Sequence, residues 1–159
     1  MKFFLYIFLS CLLFQSCEET KADLKINAAD EVKKLLATDK AFSDLSEQKG
    51  MKAAYIDYID SNGVLLKPGI LPVVGANAID YLIQQNDTTF RLTRQPQSAM
   101  VAISGDLGYT YGIISYRLKW SDSVQYGTYV SIWKKQRDGS WKFVLDSGND
   151  GIGEQYVAP

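Results

Sequence analysis

The chain has 159 residues, 17 of them basic and 18 acidic, with two cysteines and no histidine. That length suits one globular domain plus a targeting segment, and a balanced charge without a basic block argues against nucleic acid as a partner. Without histidine the commonest general base, the Ser-His and Cys-His nucleophile pairs and imidazole metal sites are excluded, so any chemistry rests on carboxylates, tyrosines or lysines.

Met1-Lys2 and the apolar run ending at Phe14 read as the n-region and h-region of a secretory signal, too short to span a bilayer. Gln15-Ser16-Cys17-Glu18-Glu19 follows and resembles the lipobox of bacterial lipoproteins, with Cys17 as the lipidated residue. Cys11 is the poorer candidate, because cleavage there would leave Leu12-Leu13-Phe14 exposed behind the lipid. A plain signal peptide releasing a soluble protein is the alternative. Both cysteines lie too near the start for a disulfide framework or a thiolate metal site in the folded part, and neither metal nor cofactor is called for. The sequence therefore divides into a lipoprotein signal (1–16), a polar tether (17–26), a domain (27–152) and a short tail (153–159).

In the domain, Asn27 caps a helix with apolar residues at Val32, Leu35, Leu36, Phe42 and Leu45. A second helix is predicted from Met51 to Ile59, with Tyr55 and Tyr58 on its aromatic side, before Ser61-Asn62-Gly63 breaks the chain. Val64-Leu65-Leu66 is a short strand, and a third helix runs from Ala76 to Gln85. Long strands follow: Phe90 to Ile103 with Pro96 at a bulge or edge, Leu107 to Trp120, Tyr126 to Arg137, and Ser140 to Asp146. Helices first and a meander afterwards predict an α+β fold, three N-terminal helices packed on a curved antiparallel sheet.

The last hairpin turns at Asp138-Gly139, a pair that takes positive φ cheaply. Counting outward pairs Gln136 with Trp141, Trp133 with Val144 and Ser131 with Asp146, which gives two faces. Val130, Ile132, Trp141, Phe143 and Leu145 form an apolar one. Tyr129, Ser131, Trp133, Val144 and Asp146 form a mixed one, suited to a ligand pocket or a subunit interface.

The order of elements, with Lys40-Ala41-Phe42, Asp60-Ser61-Asn62-Gly63-Val64-Leu65, Lys67-Pro68-Gly69, Ser104-Gly105-Asp106-Leu107-Gly108-Tyr109-Thr110 and Trp133-Lys134-Lys135-Gln136, resembles the nuclear transport factor 2-like superfamily. That superfamily includes ketosteroid isomerase and the SnoaL-like cyclases, and within it the chain looks most like the bacterial domain of unknown function 4440. The resemblance implies a cone with a pocket between helices and sheet, frequently in a homodimer. It implies no single activity, since the superfamily hosts isomerases, cyclases, hydrolases and pure binders.

An isomerase-type mechanism needs a carboxylate base in an apolar cavity and a donor aimed at the developing oxyanion. Asp146 is the candidate base. Its plainer reading is a turn-former at a strand end. Tyr55, Tyr58, Tyr109, Tyr111 and Trp133 are the candidate pocket residues, each equally readable as core packing. The resulting expectation is a lipid-anchored domain of the bacterial cell envelope, on the periplasmic or surface side of the outer membrane, that binds a small, partly apolar molecule and forms a homodimer. Two rivals stand beside it: an isomerase or cyclase using Asp146 with a tyrosine, and an interaction module whose cavity is packed core.

Overall fold

The computed structural model describes residues 28–152. The signal segment, Cys17, the tether, the Asn27 cap and the tail lie outside the described residues. Three helices, α1 (Ala28–Lys49), α2 (Met51–Tyr58) and α3 (Ala76–Gln84), accompany six strands. These are β1 (Ile59–Leu66), β2 (Val73–Val74), β3 (Phe90–Val101), β4 (Leu107–Leu118), β5 (Val124–Lys135) and β6 (Trp141–Asp150). The sheet order is β2-β1-β6-β5-β4-β3. The predicted α+β architecture is present, with one addition: β1 joins β6 in parallel, so the sheet is mixed.

The buried stripe of α1 is Glu31, Leu35, Asp39, Phe42, Ser43 and Ser46, spaced three or four apart as one helical face requires. Of the apolar residues read from the sequence, Leu35 and Phe42 belong to this stripe and Val32 and Leu45 flank it half-buried; the other four members of the stripe are polar, which an apolar count does not register. The polar groups have work at the sheet edge. β3 is the last strand in the order, and Ser46 Oγ donates to the Leu92 carbonyl at 2.7 Å while Ser43 Oγ accepts from the Arg94 N–H at 2.8 Å. Helix α1 thus closes the row of backbone groups that an open edge would offer to another chain. Close approach is permitted at Gly108, where a Cβ would stand 2.7 Å from the Leu35 side chain.

Gly50, at φ 97°, ends α1 and lets α2 begin at once. Gly50 has no side chain to cap α2, and Asp87 does so from a distance, accepting from the Lys52 N–H at 2.8 Å. Ser61-Asn62-Gly63 does not break the chain as expected. It lies within β1, where the register against β6 shifts between Ile59 and Val64.

Two corrections fall on the last hairpin. The Asp138-Gly139 turn forms, with Gly139 at φ 86°, but Trp141 pairs with Lys135 and Trp133 with Phe143. A bulge between Ile132 and Trp133 absorbs one residue of β6, which moves Trp141 and Phe143 onto the inner face beside Trp133. Val130, Ile132 and Leu145 stay outside. The second correction concerns length: β6 continues to Asp150, so Asp146 sits within the strand and its reading as a strand-ending turn-former does not hold.

The inner face meets the helices in an aromatic core. Phe42 packs edge-on against Tyr55 at 5.0 Å, and Trp133 against Phe143 at 5.9 Å and 90°. These four rings are at most 1% exposed.

Candidate functional site

Beside that core lies a closed ionic cluster. Arg94 points inward from β3, Ser131 and Asp146 are partners on β5 and β6, Asp39 comes from α1 and Tyr55 from α2. The Arg94 guanidinium donates through Nη2 to Asp146 Oδ2 at 2.5 Å and to the Tyr55 hydroxyl at 2.8 Å, and through Nη1 to Ser131 Oγ at 3.0 Å. Tyr55 donates to Asp146 Oδ1 at 2.8 Å and Ser131 to Oδ2 at 2.7 Å. Lys67 approaches from the end of β1, its Nζ 3.4 Å from Oδ1. Each Asp146 oxygen therefore has two donors. Asp39 faces the same arginine at 3.7 Å and accepts from the Tyr129 hydroxyl at 2.7 Å. The guanidinium plane is enclosed by rings, its carbon 4.1 Å from the Phe42 centroid and 4.5 Å from that of Tyr129.

Electrostatics follow from this arrangement. Burial pushes the Asp146 carboxyl up, but Arg94, Lys67 and the bonds from Ser131 and Tyr55 outweigh it and hold the pKa at about 2. Burial acts on Asp39 more than its partners do, and its pKa is raised despite Arg94 and Tyr129. Burial also raises the Tyr129 phenol, helped by the neighbouring Asp39. For Arg94 burial favours deprotonation, yet Asp146 and the surrounding oxygens shift it the other way, so it stays charged.

A general base needs a free lone pair within reach of substrate and a pKa near the working pH. Asp146 has neither: it is 1% exposed, fully bonded and strongly acidic. What the cluster does is neutralise buried charge and tie α1, α2 and strands β3, β5 and β6 to one guanidinium.

Of the expected pocket residues, Tyr55, Trp133 and Asp146 come together inside, and half-buried Tyr58 packs edge-on against Trp133 at 6.3 Å. Tyr55, Trp133 and Asp146 are each at most 1% exposed and pack as part of the core. Tyr109 and Tyr111 do not join them. Both lie on the outer face, 36% and 48% exposed, because inward positions on β4 are Gly108, Thr110 and Gly112. Arg94, Asp39 and Lys67 were not anticipated. An acid four residues from both Leu35 and Ser43 on an amphipathic helix was a visible signal for Asp39; Arg94 has none, since Arg91 three residues earlier looks the same and is exposed.

Space exists elsewhere on the inner face. Toward the β4–β5 turn a recess of about 800 Å³ is lined by Leu92, Ile114, Tyr116, Val124 and Tyr126, with Gln125 and Asp150 among its few polar groups. Leu92, Tyr116 and Gln125 form one cross-strand row, and Ile114 and Gly127 stand in the next. Among the described residues no group of three His, Cys, Asp or Glu is placed to hold a metal ion, and no helix is long and apolar enough to cross a membrane.

No protein-family model matches the chain, and no curated protein matches it. Solved structures do. A ketosteroid isomerase-like protein from Erwinia carotovora atroseptica superposes with a TM-score of 0.60 at 18% identity, covering 78% of this chain and 98% of that one. An NTF2-like protein with a cystatin-like fold from Novosphingobium aromaticivorans gives 0.56 at 15%, covering 77% and 83%. An LEH-like epoxide hydrolase of M. tuberculosis gives 0.53 at 11%, covering 77% and 81%. At such identities the likeness is one of fold, and the fold is nuclear transport factor 2-like.

Proposed function

We propose that this nuclear transport factor 2-like domain is a binder and that its ligand, a small and largely apolar molecule, occupies the recess beside the β4–β5 turn. The observation that carries this reading is the division of the inner face. The half holding Asp146 is filled by buried side chains, with both Asp146 oxygens bonded, whereas the other half is an apolar hollow whose size, about 800 Å³, suits a small ligand. Tyr116, on the inward row of β4, offers ring area with one polar tip.

The rest of the expectation joins the reading as follows. A lipid on Cys17 holds the domain at the bacterial cell envelope; the support is the charged start, the apolar run to Phe14 and the charged residues directly after the cysteine. A second copy covers the outer sheet face. Met100, Tyr109, Tyr111 and Val130 are exposed there as cross-strand neighbours. At about 3.4 Å per residue and about 4.8 Å per strand, strands β3 to β6 present roughly 750 Å², close to what one partner buries in a stable complex. Affinity with the domain of unknown function 4440 rests on the motifs given above. The closed aromatic half of the cone favours one second reading, a protein-interaction module that takes no small molecule.

Native mass spectrometry of the protein purified from its source separates the two. The binder reading expects a mass adduct on each chain, lost in an Ile114→Trp variant that fills the recess. Absence of any adduct, or an adduct indifferent to that substitution, selects against it.

A further inference from the structure

The recess beside the β4–β5 turn carries a charge that the rest of its wall does not answer. Asp146 faces inward on β6, and the period-two alternation of a strand puts Asp150 on the same side, at the strand's end. The register agrees: Asp150 pairs with Gly127, and Gly127 with Ile114, so the three stand in one cross-strand row on the inner face. The middle member has no side chain. A Cβ at Gly127 would stand 3.1 Å from Ile114 Cγ2, and its absence leaves a gap between the Ile114 side chain and the Asp150 carboxylate. Gln125, two residues before Gly127 and on the same face, is a diagonal neighbour of Asp150, roughly 7–8 Å away by the usual spacing of such pairs. Among the described residues that line the recess, Asp150 alone is charged. Arg94 and Lys67, the cations that reach the inner face at Asp146, are bonded to that carboxylate instead.

We propose that the recess selects a ligand with an apolar body and one ammonium group. The body lies against Leu92, Ile114 and Tyr116, while the ammonium sits over Gly127 and donates to the Asp150 carboxylate and the Gln125 side-chain carbonyl. The sign of the charge follows from what each class of ligand would do to Asp150. A neutral apolar molecule seated there takes water from the carboxylate without replacing its hydrogen bonds, and an anion adds repulsion. A cation offsets both. The inference rests on the recess being the ligand site, and it adds the chemical class that this site takes.

Calorimetric titration of the full-length protein with three compounds of similar shape, 2-naphthylmethylamine, the neutral 2-naphthylmethanol and 2-naphthoate, tests it. The amine is expected to bind saturably, the alcohol about tenfold more weakly and naphthoate more weakly still. Asp150→Asn keeps the shape at an exposed position and removes the charge. It is expected to melt with the parent and to bring the amine down to the affinity of the alcohol, while the alcohol binds as before. Ile114→Trp blocks all three. If the alcohol matches the amine, or amine binding survives Asp150→Asn, while Ile114→Trp still abolishes binding, the charge preference is overturned and the recess remains a ligand site. If no compound saturates, or if Ile114→Trp leaves amine binding unchanged, the charge preference is overturned as well, and the mass adduct alone decides whether the recess is a ligand site.

Discussion

Arg94 decides the chemistry of the interior. An isolated guanidinium in such a place would be prohibitively expensive, and it persists because Asp146, Asp39, Tyr55 and Ser131 surround it. Removing one partner of a buried pair leaves the other uncompensated, so Asp146→Asn is expected to cost about 3–5 kcal/mol in thermal or urea unfolding. A loss below about 1 kcal/mol would show that Asp146 is not what anchors the arginine. The same carboxyl makes stability depend on acid. Its pKa is about 2 in the fold, against roughly 3.9 in an unfolded chain. Between those values the unfolded chain holds more protons, so this contribution is fully present above about pH 4 and is lost as the pH falls through 2, about 2–3 kcal/mol in all. Asp39, with its raised pKa, acts in the opposite sense: its protonation favours the fold, and that contribution is lost as the pH rises through its folded value. Melting temperature followed from pH 5 to pH 2 should therefore fall more steeply in the parent than in Asp146→Asn, and coincident acid limbs would refute the assignment.

Among the elements, α1 has the most to reconcile. One flank of it packs Leu35 and Phe42 into the core, while Ser43 and Ser46 complete the backbone bonding of β3. Replacing both serines by alanine leaves a buried N–H and a buried carbonyl of β3 without partners. The expected cost is about 2–4 kcal/mol, together with faster aggregation through the uncovered strand edge. Unfolding by urea with light scattering measures both, and a double variant as stable and as soluble as the parent would contradict the account. The bulge in β6 matters for a comparable reason. By taking up one residue it brings Trp141 and Phe143 to the side of Tyr129 and Trp133, so one hairpin supplies four inward rings.

For the whole molecule the proposed pairing and anchoring make two separate expectations. Tyr109→Lys with Val130→Lys places charges at the centre of the outer face, where nothing in the fold itself requires either side chain. Sedimentation should then show a dimer for the parent and a monomer for the variant, both folded. A parent that sediments as a monomer at high concentration rejects the pairing. Cys17→Ser should move the protein from the membrane fraction to the soluble one in its host. Equal fractionation of the two would rule out a lipid at that residue.

Local signals were enough for the order of helices and long strands, the Asp138-Gly139 turn and the shared face of Tyr129, Ser131 and Asp146, though not for which way that face points, because periodicity and turn chemistry act over a few residues. The tertiary structure decided three things that no such window contains. It placed Arg94 across Asp146 from a strand 52 residues earlier, turned Tyr109 and Tyr111 outward by the phase of β4, and put the open space at the β4–β5 end of the cone. Each depends on which distant strands meet and in what register, and a shift of one residue there exchanges the inside of the sheet for the outside.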